Sequence, residues 1–481
     1  MILPGFERKV PVFEIMPGEQ VEAVHRATLE TLRSSGVRFL DEGALKVFRG
    51  AGCEIVDSDR VRIPEGLAED CLSKCPSSFL IRARDPEKNL RIGGNTVYFS
   101  SFPGMRIIDL ETWEPRTATR EEHAEGVRVL DALPHVHFLT PYTPYFEMEG
   151  VSPVMWILES TANQIRNTGK VLRTGYQKES EIFAVQMAQA AKMDFLCSVF
   201  ASSPLTYYGE SIRALFRFVE AGFPIHITSG GVMGGTLPAT IAGATVVHNA
   251  ELIAGIVLIQ LLRPGTGVVV NSFVNPMNMN TGNPSFGTIE GSLHAVVFNQ
   301  MWRRYGLPIN NCLSGCVNAK KIDYQCGYEK SLPALTSALS GANGVHLHGA
   351  IHAELTYHPV QAIIDDDVAG MIGRFLRGAQ IDEETIAVNL ITQVGSIPGH
   401  FLDKEHTRRW WKTEQFLPAV ADRIPLAEWK QEKPDVLSNA KRKMEKILAS
   451  HAPAELPEGV EKDIHRILED AVDYYKKKGE L

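Results

Sequence analysis

The chain has 481 residues, with 49 Lys+Arg against 57 Asp+Glu, so its formal net charge is −8. Hydrophobic residues make up 44% and charged residues 22%, which is typical of a globular protein and excludes a disordered chain. No block of lysine or arginine is long enough to follow a phosphate backbone, so we expect no nucleic-acid partner.

We also expect neither a targeting segment nor a disulfide framework. The N-terminal segment has no basic region followed by an apolar core, so we expect no signal peptide. The longest apolar stretch, residues 253–262, is about half of what a membrane span needs, so we expect no membrane association. Seven cysteines are too few and odd in number for a disulfide framework, which indicates a reducing compartment, the cytoplasm.

The first ninety residues predict short helices and turns. Val21, Val24 and Leu32 share one face at helical spacing, and Gly36 follows where that helix would end. Residues 96–101 and 105–110 then predict two strands that form a hairpin, with the turn at Pro103 and Gly104.

From about residue 120 short strand-like runs alternate regularly with helical stretches. This alternation is typical of successive βα units and predicts an α/β fold, a (β/α)₈ TIM barrel. A closed barrel needs eight strands, and the eighth is either 97–101 or a segment after residue 380. The seven predicted strands are 136–140, 171–175, 195–201, 225–229, 267–273, 308–312 and 344–349.

The same pattern divides the chain into three segments. We expect an N-terminal helical elaboration over 1–95, the barrel over 96–425 and a C-terminal helical tail over 426–481. In the tail, Ile464, Ile467 and Leu468 belong to one apolar helical face, which predicts packing on the barrel or on a neighbouring subunit. We also expect a homo-oligomer.

The C-terminal ends of the strands carry the active site in barrels of this kind. Here they are rich in small polar and aromatic residues and poor in carboxylates, so no acid pair presents itself for glycosidase-type chemistry. Aromatic faces attract quaternary ammonium groups, and hydroxyls or amides orient a carboxylate. The strand ends therefore predict a site for a bulky organic cation.

A histidine pair supports a second hypothesis. His346 and His348 are two residues apart on one predicted strand, so their side chains would share a face. Such a pair binds zinc in metal-dependent hydrolases, but no second histidine cluster or lone acid lies at another strand end. We expect no metal site, and the histidines are interpreted as a substrate contact or as structural residues. The CxxxC pairs at 71/75 and 312/316 are interpreted as buried thiols.

Several segments together resemble the trimethylamine methyltransferase superfamily. The motifs agree with that family in order over roughly residues 20–425. They are GTLPATIAGATVVHNAELIAGIVLIQLLRPG at 235–265, NMNTGNPSFGTIE at 278–290, NAKKIDYQCGYEKS at 318–331 and GHFLDKEHT at 399–407.

The resemblance implies a methyltransferase that uses a corrinoid protein. Founding members of the family carry pyrrolysine in the third segment, whereas residues 320–323 here are standard amino acids. The chain is thus similar to the pyrrolysine-free branch, which takes methyl groups from quaternary amines. Glycine betaine is the expected donor, with carnitine, proline betaine and γ-butyrobetaine as alternatives. The acceptor would be Co(I) on a separate corrinoid protein, with no tightly bound cofactor and no acid or base residue.

Residue roles follow from strand-end position and from the resemblance. His348 is the expected contact of the substrate carboxylate, with Asn271 and Asn311 as neutral donors. The resemblance implies that Gln325 and Glu329 either support the pocket wall or only form hydrogen bonds within the barrel. The expected cation cage is Tyr98, Phe102, Tyr142 and Phe286.

Overall fold

Eight parallel strands close into a barrel in the computed structural model, which describes residues 2–481. Each strand pairs with the next along the chain, and the last pairs with the first. The TIM barrel predicted from the alternating pattern is therefore confirmed. The strands are β1 Thr96–Ser101, β2 Phe138–Leu139, β3 Val171–Thr174, β4 Phe195–Ser202, β5 Ile225–Met233, β6 Val268–Asn278, β7 Ile309–Asn311 and β8 Gly344–His348.

A helix follows each barrel strand and covers its outer face, as the βα pattern requires. Local sequence sets the helix ends: α1 starts at a capping box of Thr119 and Glu122, and α6 ends at Gly306 with a φ of 74°. The helices are α1 Arg120–Ala132, α2 Trp156–Asn167, α3 Glu181–Ala190, α4 Gly209–Glu220, α5 Ile241–Leu262, α6 Ile289–Tyr305, α7 Tyr324–Ser340 and α8 Pro359–Leu376.

Helix α5 is the one described helix that is long and apolar enough to cross a bilayer. Of its most apolar window, 78% is buried within the molecule, and α5 packs against the N-terminal helices as well as against the sheet. This helix is a core element of the barrel.

The strand that was left open in the prediction is β1, Thr96–Ser101, one of the two predicted candidates. The predicted hairpin with the following segment is wrong, because Thr96–Ser101 pairs with β2 and β8. The strand Arg106–Ile108 instead pairs with Thr356–Tyr357 and Pro115–Arg116 in a small sheet. Burial of strand β1 on both faces outweighs the local turn signal of Pro103 and Gly104.

The N-terminal segment closes the bottom of the barrel. The hairpin of Ser78–Ile81 and Leu90–Gly93 places Ile81 and Ile92 against the interior residues of β1 to β4 and β6. The predicted helix end at Gly36 is confirmed, with a φ of 70°. The remaining N-terminal elements are the helices Gly18–Ser34, Glu42–Gly50 and Glu65–Ser73, with the strands Phe6–Glu7, Val37–Phe39, Glu54–Val56 and Arg60–Arg62.

The C-terminal segment is helical. Its last helix, Glu458–Lys477, buries Ile464 and Ile467 against α2 and α3, so the predicted packing on the barrel is confirmed. The division of the chain at residues 95 and 425 stays a prediction. The preceding helices are Glu383–Ile386, Val388–Val394, Glu405–Glu414, Leu426–Glu432 and Val436–Ser450.

Candidate active site

A small cavity of about 170 Å³ opens at the C-terminal ends of the barrel strands. Each of the eight barrel strands contributes a lining residue from within the strand or directly after it. This is the end of the barrel at which TIM-barrel enzymes carry their active sites. The lining residues are Phe102, Pro103, Thr140, Pro141, Tyr142, Arg173, Phe200, Thr228, Asn271, Phe273, Cys312, His346 and Glu354.

Arg173 of β3 lies inside the barrel and is only 5% exposed. Its Nη1 lies 2.9 Å from His346 Nε2, and its Nη2 lies 3.1 Å from His226 Nδ1. Nη2 also donates to Ser198 Oγ at 3.0 Å, whereas Nε has no partner among the described residues. The guanidinium is therefore held in one orientation by neutral groups from three other strands.

No carboxylate of residues 2–481 lies within ion-pair distance of this guanidinium. Burial lowers the pKa of Arg173 below its usual value. Burial and then the Arg173 charge hold the pKa values of His226 and His346 well below 6.5. Both imidazoles are consequently neutral at pH 7, and the cavity floor carries one uncompensated positive charge.

Four aromatic rings form the upper wall of the cavity: Phe102, Tyr142, Phe200 and Phe273. Tyr142 has a φ of 63°, and its ring centroid is 4.1 Å from that of Phe146, which packs in turn on Trp156. A non-glycine residue in the left-handed region is strained, so the surrounding packing keeps the Tyr142 ring in place. The wall can accept a cation on its aromatic faces.

One carboxyl group, that of Glu354, lines the rim of the cavity. It lies on the loop between Ala350–Ile351 and Thr356–Tyr357, which is held by backbone bonds from His352 to Ala319 and from Ala353 to Val317. Although Glu354 is exposed on one side, partial burial raises the pKa of its carboxyl group. The cavity thus has a cationic floor and an acidic rim.

Three predicted site residues line this cavity: Phe102, Tyr142 and Asn271. Asn271 donates to Thr228 Oγ1 at 2.8 Å and accepts from Asn310 Nδ2 at 2.8 Å. Phe286 is not a lining residue, but it packs in the same apolar cluster as Phe102 and Phe273. Their functional roles stay predictions.

Tyr98 lies at the other end of the barrel. Its ring packs with Leu90 and Ile92 of the hairpin that closes the bottom of the barrel, and its hydroxyl donates to the Arg91 carbonyl. The expectation that Tyr98 belongs to a cage at the strand ends is wrong, because this residue lies in the N-terminal half of β1.

His348 does not reach the cavity either. A register shift between His346 and His348 interrupts the alternation of β8, as a β-bulge does. His346 faces the cavity, whereas His348 Nε2 lies 3.5 Å from Asp366 of α8 and Nδ1 lies 3.2 Å from the Ser100 carbonyl. The predicted shared face and the predicted carboxylate contact of His348 are both corrected by this bulge.

Asn311 faces outward between α6 and α7. It exchanges two side-chain amide bonds with Asn299, each of 2.9 Å. Its neighbour Asn310 faces inward instead, 2.9 Å from His346 Nε2 and 3.2 Å from His226 Nε2. The predicted donor was thus one residue out of register, which moves a side chain to the opposite face of a strand.

Gln325 and Glu329 lie on α7, outside the cavity. Gln325 donates to Glu329 at 2.6 Å, and Glu329 accepts the Ala319 amide at 2.9 Å. A side chain on Gly287, which has a φ of 63°, would collide with Glu329. These residues therefore join the loops after β6 and β7, and they do not line the cavity wall.

Four residues at the cavity were not predicted from the sequence: Arg173, His226, Asn310 and Glu354. Arg173 had a detectable signal, since it is a charged residue within the apolar strand VLRT. A charged side chain in a strand buried on both faces is rare without a function. The other three carry no comparable sequence signal.

His226, Cys312 and His346 are the one group of residues 2–481 whose ligand atoms lie close enough to hold a metal, all within 4.8 Å of one another. Two histidines and a thiol are a zinc-type donor set. The Arg173 guanidinium, however, occupies the histidine lone pairs and places a positive charge beside them. The donor set therefore fits a dication poorly while Arg173 remains in this position.

Comparison with known proteins decides the family. A family profile described as trimethylamine methyltransferase matches residues 1–479. The chain belongs to the trimethylamine methyltransferase family. Among its relatives, glycine betaine methyltransferase from Desulfitobacterium hafniense (strain Y51) is 30% identical over 460 residues, 93% of this chain and 95% of the relative. A trimethylamine methyltransferase from Methanosarcina barkeri (strain Fusaro / DSM 804) is 26% identical over 468 residues, 94% of each chain.

Solved structures support the same fold for this family member. The monomethylamine methyltransferase of Methanosarcina barkeri superposes with a TM-score of 0.50 at 15% identity, covering 92% of this chain and 96% of that one. The hydroxylamine complex of MtmB gives a TM-score of 0.53 at 14% identity, covering 91% and 89%. At these identities the likeness shows the barrel fold alone.

Proposed function

We propose that this member of the methyltransferase family transfers a methyl group from a quaternary amine, with glycine betaine as the favoured donor, to Co(I) of a corrinoid protein. The observation that carries the proposal is the small cavity walled by four aromatic rings. Aromatic faces bind quaternary ammonium by cation–π attraction. The similarity to a glycine betaine methyltransferase supports the same donor.

The reaction needs no proton transfer, which agrees with the residues around the cavity. Co(I) supplies an electron pair that forms a bond to the methyl carbon, and the C–N electron pair returns to nitrogen. Dimethylglycine leaves with a neutral amine, and cobalt rises formally from +1 to +3. Glu354 is the one carboxyl group of the lining, and His346 is neutral, so the chain contributes binding and orientation.

The size of the cavity favours a small donor. Cavities for drug-sized ligands have volumes of roughly 300–1,000 Å³, whereas this one is about 170 Å³. Glycine betaine is the smallest of the four donors considered. Carnitine, proline betaine and γ-butyrobetaine, each of which is bulkier or longer, are the alternatives.

The proposed partners follow from the chemistry. The acceptor is a separate corrinoid protein that approaches the open end of the barrel, and no tightly bound cofactor is proposed. The seven cysteines are unpaired, which is typical of a reducing compartment, so we place the protein in the cytoplasm. Homo-oligomerisation remains part of the proposal.

A zinc-dependent hydrolase is the second candidate, favoured only by the convergence of His226, Cys312 and His346. The two candidate reactions differ in the metal that each requires. The methyltransferase needs Co(I) and tolerates chelators, whereas the hydrolase needs about one zinc per chain.

The test is a methyl-transfer assay with free Co(I) cobalamin and a corrinoid protein as acceptors. We expect a methyl-Co(III) absorbance with glycine betaine and none with trimethylamine. Absence of methyl-Co(III) with every quaternary amine would overturn the proposal.

A further inference from the structure

We infer that Arg173 binds the carboxylate of the substrate, so the enzyme selects quaternary amines that carry a carboxylate and rejects those that do not. This inference rests on the proposed function and deepens it by naming the substrate class. It also assigns a specificity-determining residue for which neither the motifs nor the similarity to other proteins provides a role.

The Arg173 guanidinium carries a buried charge without a counter-ion. Arg173 is one of the lining residues, is only 5% exposed, and contacts no carboxylate of residues 2–481 within ion-pair distance. Of the other buried cations, Lys330 has a carboxylate partner, with Nζ 3.0 Å from Asp365. Arg8 and Lys170 each donate to two backbone carbonyls, whereas Arg173 has neither kind of partner. A buried ion without a counter-ion is costly, so the arrangement indicates that an anionic ligand supplies the missing charge.

The guanidinium of Arg173 is held in place by neutral groups. His346, His226 and Ser198 contact Nη1 and Nη2, and none of them neutralises the charge. Nη1 also faces Cys312 Sγ at 4.0 Å, which is too far for a strong bond and leaves donor capacity on the cavity side. A guanidinium that is fixed before the ligand arrives loses little entropy when it binds a carboxylate through two N–H groups.

The charges of the cavity are arranged from its floor to its mouth. Arg173 lies at the floor, while Phe102, Phe273 and the Glu354 carboxyl lie towards the mouth. A zwitterion matches this order when its carboxylate points to the floor and its ammonium group lies among the rings. In that orientation a methyl group points to the open end of the barrel, where an acceptor protein can reach it.

A purely structural role for Arg173 makes a different prediction. If the guanidinium only braces His226 and His346, the cavity would not distinguish a carboxylate from a neutral group of similar size. Choline is the appropriate probe, because it carries the same trimethylammonium group and ends in a hydroxyl. Tetramethylammonium tests the ammonium group alone.

The experiment is calorimetric titration of the full-length protein with glycine betaine, choline and tetramethylammonium. For the wild type we expect glycine betaine to bind on the order of 100-fold more tightly than either cation. In Arg173→Gln we expect glycine betaine to lose on the order of 100-fold in affinity and choline to change little. Arg173→Lys should lose less affinity than Arg173→Gln, because lysine keeps the positive charge but cannot bind a carboxylate through two N–H groups of a planar guanidinium.

Arg120→Gln is the matched control, because it removes a surface arginine that pairs with Glu159 on the outside of the barrel. This variant should bind glycine betaine as the wild type does. If Arg173→Gln fails to fold, the wild-type comparison of glycine betaine with choline decides the question alone.

Two results separate the inference from the proposed function. Methyl transfer from choline or tetramethylammonium as efficient as from glycine betaine would overturn the role of Arg173 and leave the proposed function standing. An Arg173→Gln variant that keeps wild-type affinity for glycine betaine would also overturn the inference. Failure of the wild type to bind any of the three amines would overturn both.

Discussion

His346 and His348 are two residues apart on β8, yet they lie on opposite sides of the barrel wall. The bulge between them directs His346 to the cavity and His348 to Asp366 of α8. Burial raises the pKa of Asp366, but the bonds from His135 and His348 outweigh it, and the net shift is downward. His348 therefore belongs to a buried polar cluster around Asp366 and not to the cavity.

The first prediction separates the two histidines. His348→Ala should lower the free energy of unfolding by about 3 kcal/mol, because it removes a partner of a buried charge. It should leave the dissociation constant of glycine betaine within about twofold, whereas His346→Ala should weaken binding because His346 orients Arg173. Urea unfolding and calorimetry measure the two effects. Weakened binding with unchanged stability in His348→Ala would contradict the assignment.

The second prediction concerns the aromatic wall. Phe273→Leu keeps an apolar side chain and removes the ring, so the affinity for glycine betaine should fall about 2- to 30-fold, the value of one cation–π contact of about 0.5–2 kcal/mol. Calorimetric titration measures the change. Tyr98→Phe is the control, because Tyr98 lies at the barrel floor, and its affinity should match that of the wild type. A larger loss in Tyr98→Phe than in Phe273→Leu would show that the ligand binds elsewhere.

The third prediction concerns metal. Since Arg173 occupies the lone pairs of His226 and His346, the purified protein should contain well below one zinc per chain by elemental analysis. Treatment with a chelator should leave methyl transfer unchanged, and Cys312→Ser should keep most of the activity. One zinc per chain that is lost together with activity would favour the hydrolase candidate.

The fourth prediction concerns acid stability. Burial lowers the pKa values of His123, His137 and His294 from 6.5 to about 3. The unfolded chain takes up these protons near pH 6.5 and the folded chain does not, so their stabilising effect is complete above pH 6.5 and is lost as the pH falls. Between pH 7.5 and 5.5 each should cost about 1.4 kcal/mol, roughly 4 kcal/mol for the three.

Urea unfolding at the two pH values measures this difference. His465→Gln is the matched control, because His465 is exposed on the last helix and its removal should leave the difference unchanged. His294→Phe should reduce the difference by about 1.4 kcal/mol, the contribution of one neutral buried histidine. Equal stability at pH 7.5 and 5.5 would rule out neutral buried histidines as the cause.

The barrel could be predicted because its signal repeats. Buried parallel strands have short apolar sequences, and the helices between them separate these sequences by a regular number of residues. The strands β5 and β6, with α5 between them, are an example. The first strand was ambiguous because Pro103 and Gly104 also suit a hairpin turn. Pairing with β2 and β8 is a long-range property that local turn residues do not encode.

The site was harder to predict because it depends on which face each side chain occupies. A shift of one residue along β7 puts Asn310 instead of Asn311 on the inner face of the barrel. The bulge of β8 turns the His348 side chain away from the cavity. The amino-acid types in these segments indicate neither the register of β7 nor the bulge of β8. Arg173 could have been found, since a charge within the apolar strand β3 needs an explanation.

The most direct test of the central claim is the stoichiometry of one reaction mixture. With glycine betaine and a reduced corrinoid protein, the account predicts that dimethylglycine and methyl-Co(III) form in a ratio of about one to one, because the methyl group moves once and no other product arises. Dimethylglycine without methyl-Co(III), or neither product, would contradict methyl transfer from a quaternary amine to cobalt.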